Sequence, residues 1–125
     1  MLTNAKITTM LPVTDVERAR RFYADRLGLR EVAVAGDGTR IFEAGAGAIG
    51  LRQAEPGAQS ELTALTFHVP DLEHEVDELA GRGVTFADYD LPDLKTVDHI
   101  AKLGDEKAAW FTDTEGNILC VHQST

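Results

Sequence analysis

The chain has 125 residues, 43% of them hydrophobic and 26% charged, with a net charge of −9 and a single cysteine. That length fits one compact domain with a real core, and the negative balance argues against a nucleic-acid partner while slightly favouring cationic small molecules. No apolar run reaches the length of a membrane span, the opening "MLTNAKITT" lacks the regions of a secretion signal, and a lone cysteine makes no internal disulfide, so a cytoplasmic protein is expected.

A strand is expected to lead into "LPVTD" (11–15), with Ile7, Leu11 and Val13 on one face and Thr8, Met10 and Pro12 on the other. Thr14 and Glu17 form an S/T-x-x-E capping box, and Val16, Ala19, Phe22, Tyr23 and Leu27 follow at helical spacing up to a stop at Gly28. Three strands are predicted next, near 29–35, 39–44 and 47–53, separated by the turn sequences "AGDGT" and "GAG". The linker "QAEPGAQSE" (53–61) reads as an exposed connection.

From there the chain starts again. "FHVPD" (67–71) repeats "LPVTD", and Asp71 stands 56 residues after Asp15. Leu65, Phe67 and Val69 make one strand face, with Ala64, Thr66 and His68 on the other. A helix carrying Leu72, Val76, Leu79 and Ala80 inward ends at "GRG" (81–83), and strands are predicted near 84–88, 106–112 and 117–123. An insertion at 88–106, "DYDLPDLKTVDHIAKLGDE", interrupts them; it could hold a short helix around 94–103 and could serve either as a lid over a pocket or as a surface elaboration.

Strand, helix and three strands, given twice, make two βαβββ modules, about 5–53 and 62–123, joined by 54–61 within one domain spanning 1–125. Each module has one helix-covered sheet face and one uncovered face. The expected class is therefore α+β, with the modules pairing into a curved mixed sheet around a cavity.

"LPVTDVERARRFYADRLGL", "FHVPDLEHEVDELAGRGV" and "FTDTEGNILCV", in this order and spacing, resemble the vicinal oxygen chelate superfamily, which includes glyoxalase I, bleomycin-resistance proteins and extradiol dioxygenases. The resemblance covers nearly the whole chain outside the insertion and implies paired βαβββ modules, usually in a homodimer, around a central cavity. In its metal-dependent members four positions hold a divalent ion through His, Gln or Glu, one in the first and one in the last strand of each module. The resemblance puts those positions at Thr8, Gly50, Ala64 and Cys120, the last where the closing pattern F-x-D-P-D/E-G-N-x-x-E-L has Glu. One thiol among Thr, Ala and Gly is not a divalent-ion site, so no metal, no cofactor and no catalytic residue is assigned.

What remains suits sequestration of a small organic ligand, such as an antibiotic or a cationic compound, held by Thr8, Met10, Gly50, Arg52, Ala64, Thr66, His68, Trp110, Cys120 and His122. Arg52 could neutralise an anionic group or simply extend to solvent, and alternation leaves open whether Trp110 faces the cavity or the helix, because 108/110 and 109/111 are both apolar. The alternative is a lyase, isomerase or dioxygenase using a displaced metal site at His68, Cys120 and His122, with His99 as a fourth member, or the Cys120 thiol itself. A third reading is a partner-binding scaffold with a vestigial cavity, and His74, beside Glu73 and Glu75, reads as solvated.

Overall fold

The computed structural model of the chain describes residues 1–124. It divides into two compact units, Met1–Gln59 and a second from Ser60 onward, with the boundary inside the 54–61 linker.

In the first unit, β1 (Thr8–Val13) runs into helix α1 (Val16–Arg21), followed by β2 (Arg30–Val34), β3 (Arg40–Ala44) and β4 (Gly47–Gln53); the strands fall within a residue or two of the expected bounds, whereas the α-helix stops at Arg21, short of the expected run to Leu27. The sheet order is β1-β4-β3-β2, so the first and last strands lie side by side and run parallel, while the other pairings are antiparallel. Leu11, Val13, Ile49, Leu51 and Phe42 are buried together with Ala19, Phe22 and Tyr23 of the helical segment. Ile7, expected on this buried face, is instead exposed, because β1 begins only at Thr8. Helix α1 continues into a π-helical turn, Phe22–Arg26, closed by the Leu27 amide donating to the Phe22 carbonyl (3.2 Å). The wider turn accompanies the burial of two consecutive aromatic rings, Phe22 and Tyr23, packed edge to face.

The second unit contains β5 (Thr63–His68), helix α2 (Leu72–Gly81), β6 (Asp90–Leu91), β7 (Leu94–Val97), β8 (Ile100–Leu103), β9 (Glu106–Thr112) and β10 (Ile118–Gln123), in the sheet order β5-β10-β9-β8-β7-β6. Again the first and last strands pair in parallel. The core is Leu72, Val76, Val84, Phe86, Ala109, Phe111, Leu119 and Val121. Two expectations are corrected here. The insertion is a run of short antiparallel strands, not a helix: in β7 the half-buried Leu94 and Thr96 alternate with the exposed Lys95 and Val97, and turns fall at "PD" and "DH". The strand expected at 84–88 is reduced to a single antiparallel bridge from Phe86 to Phe111, because β8 takes up the edge of β9 from Glu106 to Ala108.

The sequence repeat has a physical meaning at both ends of each module. Asp15 and Asp71 are the helix N-caps, their carboxylates accepting from the amides of Arg18 (3.0 Å) and His74 (3.1 Å). The cap of α1 is thus Asp15, one residue beyond the Thr14 expected from the capping-box pattern. At the far end, the Gln53 amide donates to the Thr14 carbonyl (2.8 Å), and the Gln123 side chain accepts from the Leu72 amide (2.8 Å). In each unit the end of the last strand is therefore tied to the start of that unit's helix.

The acidic turn before β10 is closed by Asp113, only 6% exposed. Its Oδ1 accepts from the amides of Glu115 and Asn117, both at 2.8 Å, and its Oδ2 from the Asn117 side-chain amide at 3.0 Å. Gly116 turns the chain at a φ of 93°, a conformation that side-chain-bearing residues rarely adopt. Because hydrogen bonds to a buried carboxylate are stronger than neutral ones, Asp113→Ala should lower stability by about 3 kcal/mol, whereas Asp15→Ala and Asp71→Ala should each cost about 1 kcal/mol. Urea unfolding followed by circular dichroism reads all three.

Candidate functional site

Each sheet has a face turned away from its own helix, and the strand registers decide which residues occupy it. In the first unit Met10 stands opposite Gly50, Thr8 opposite Ala48 and Pro12 opposite Arg52, and Ile41 and Glu43 continue the same face on β3. In the second unit Thr66 stands opposite Cys120 and His68 opposite His122, with Trp110 and Ala108 on the other side of β10. The β5–β10 ladder skips Ala64, which sits at the irregularity between the Thr63–Ile118 and Leu65–Leu119 rungs. This register resolves the question left by the apolar run 108–111: Ala109 and Phe111 face α2, while Trp110 shares the open face with Cys120.

The floor of the first unit's open face is filled from within. A side chain at Gly50 would begin 2.7 Å from the Met10 sulfur and 3.3 Å from a Thr39 methyl carbon, so the thioether of Met10 occupies the space over the glycine. Arg52, at the end of this face, is exposed and pairs loosely with Asp37 at 3.8 Å. Thr8 is exposed at the start of β1.

The second unit's open face is aromatic at one end and imidazole-rich at the other. Tyr89, from the insertion, packs edge to face on Trp110 with ring centroids 5.8 Å apart. It is held there by a two-way exchange with Thr96: the Tyr89 amide donates to the Thr96 hydroxyl (2.9 Å), and the Thr96 amide donates to the Tyr89 carbonyl (2.9 Å). Tyr89 was not foreseen from the sequence, since an inserted segment carries no periodicity that relates it to β9. At the other end, His68 and His122 lie edge to face at 5.2 Å. His122, its side chain 15% exposed, directs Nε2 towards Glu106 at 3.4 Å, and its Nδ1 is buried without a hydrogen-bond partner. Between the two ends lies Cys120, 4% exposed; burial pushes its thiol up, partly opposed by hydrogen bonding with Thr66 and the Ala109 backbone.

The open-face residues do not fit a divalent ion. Thr8, Gly50, Ala64 and Cys120 offer one buried thiol between them, and Met10 already occupies the space at Gly50. His68, Cys120 and His122 do share a face, but among the described residues no three His, Cys, Asp or Glu side chains come together as a metal-binding group. His99 is not a fourth member. Its ring stacks on Phe86, a residue of the helix-side core, and its Nδ1 meets Asp88 at 2.8 Å.

A family model described as the glyoxalase/bleomycin resistance protein/dioxygenase superfamily matches residues 7–121. The chain belongs to this superfamily. Solved structures agree on the fold. A putative glyoxalase family protein from Bacillus anthracis aligns with a TM-score of 0.74 at 19% identity, covering 96% of this chain and 93% of that one. TnmS3, an antibiotic binding protein from Streptomyces sp. CB03234, gives 0.72 at 20% identity, with coverage of 100% and 99%. A fosfomycin resistance protein from Listeria monocytogenes, solved with Mn(II) and a dihydroxypropylphosphonic acid, gives 0.71 at 15% identity, with coverage of 100% and 93%. No curated protein sequence matches significantly. Among the described residues no helix is long and apolar enough to cross a membrane.

A buried thiol that is hard to ionise is a poor nucleophile. Cys120 should therefore resist iodoacetamide at pH 8 in the native protein and react readily once guanidinium unfolds it, with mass spectrometry following the adduct. Rapid native labelling would return Cys120 to the list of reactive groups.

Proposed function

We propose that this chain is a metal-free small-molecule-binding protein that sequesters an organic, antibiotic-like ligand without transforming it. The observation that carries this reading is the state of the four positions that hold the ion in metal-dependent members of the superfamily. They are Thr8, Gly50, Ala64 and Cys120, with the Met10 thioether lying over Gly50. A superfamily scaffold without its ion still offers sheet faces of mixed apolar and polar character, as ligand pockets generally do.

The Trp110–Tyr89 pair supplies a wall suited to a planar or aromatic group. The Thr66 hydroxyl and the His68 and His122 imidazoles supply polar contacts along the same face, and the first unit adds Thr8, Met10 and Arg52 on its own open face. The likeness to an antibiotic binding protein agrees with this reading. A net charge of −9 would favour a cationic ligand over an anionic one. We take the working form to be an intracellular homodimer, as the family resemblance implies. The enzymatic alternative draws less support, because the Cys120 thiol is pushed up and, among the described residues, His68 and His122 form no metal-binding group with a third His, Cys, Asp or Glu.

Trp110 is the only tryptophan, so its emission reports on this one face. Titration with bleomycin and other planar aromatic antibiotics should change Trp110 fluorescence saturably for the true ligand class, and Tyr89→Ala should weaken that binding several-fold. Metal analysis of the purified protein should find no stoichiometric ion. Tightly bound Zn, Ni, Fe or Mn at one per chain, or metal-dependent turnover of a small carbonyl or catechol substrate, would overturn the proposal.

A further inference from the structure

The second unit carries a cleft of about 580 Å³ on the helix side of its sheet, facing away from the Trp110 surface. Its wall is Glu73 of α2, and Leu94, Val97, Ile100, Lys102 and Lys107 line it from the inserted strands and β9. The register places Lys102 directly opposite Lys107 across the β8–β9 ladder. Like charges facing each other on adjacent strands are destabilising, and only one of these two is relieved. Lys107 donates to Glu73 Oε1 at 2.6 Å, which is the main reason that the Glu73 carboxyl is held below its usual range. Lys102 contributes to the field at Glu73 but makes no hydrogen bond or ion pair among the described residues. Two residues along the hairpin, the apolar Val97 is 75% exposed opposite the half-buried Ile100.

An unrelieved ammonium beside exposed apolar surface breaks two local rules within a single cleft, and one kind of occupant would satisfy both. We propose that this cleft binds a small amphipathic carboxylate, its anionic head on the Lys102–Lys107 rung and its hydrocarbon portion over Leu94, Val97 and Ile100. Of the other lining charges, Asp98 lies in the β7–β8 turn, Asp93 in the turn before β7, and Lys95 on β7, where it pairs with Asp90 at 3.8 Å. The volume lies within the range of small-molecule pockets. The cleft shares no residue with the open-face site, so each reading stands or falls without the other.

The test is an amide-resonance titration of the full-length protein with sodium octanoate, with acetate and octan-1-ol as arms that carry only the head or only the chain. Saturable shifts are expected for amides between residues 94 and 107, with the Trp110 indole resonance unmoved and both single-feature probes binding more weakly. Lys102→Glu should weaken octanoate by about fivefold or more, as expected for the loss and reversal of a surface ion pair. Lys102→Gln, which removes the charge without reversing it, should fall in between while its unperturbed spectrum confirms the fold. Absence of saturable shifts, shifts centred on Trp110 and Tyr89, octan-1-ol binding as tightly as octanoate, or an unchanged affinity in Lys102→Glu would each overturn the inference.

Discussion

The parallel pairing of the first and last strands in each unit is the constraint on which the rest depends. A parallel pair cannot be closed by a tight turn, so the intervening chain must cross over through a helix and return along the sheet. In both units that crossover brings the helix down on one face and leaves the other uncovered. Once β1 lies beside β4 in the Met10–Gly50 register, and β5 beside β10 in the Thr66–Cys120 register, the occupants of the open faces are settled by alternation alone.

Small polar locks hold these registers. The Asp15 and Asp71 caps start each helix at a fixed point, and the Gln53 and Gln123 side chains tie the last strands to those same starts. The Asp113 carboxylate, accepting from the Glu115 and Asn117 amides and the Asn117 side chain, fixes the length of the turn between β9 and β10. A one-residue slip there would move Trp110 off the face of Cys120 and turn Phe111 out of the core. The acidic turn is therefore structural.

The chemistry of the open faces follows from what these locks display. In the first unit a methionine lies folded over Gly50, and in the second the Cys120 thiol is buried and pushed up, which leaves it a poor nucleophile. The insertion adds features the repeat does not have: Tyr89 on the open face beside Trp110, and a lysine rung on the opposite side. A single surface elaboration has thus equipped both sides of one sheet.

The sequence by itself determined the repeat, the starts of the two helices, and seven of the strands within a residue or two. These are properties of periodicity, caps and residue identity, all local along the chain. It could not decide the face of Trp110, because four consecutive apolar residues satisfy either alternation; only pairing with Cys120 did so. It left room for a short helix at 94–103 and placed a strand at 84–88, because which segment occupies the edge of β9 is a competition between distant parts of the chain. Nor could it show Met10 lying over Gly50 or Lys102 opposite Lys107, since both depend on cross-strand register, which arises only when the strands meet.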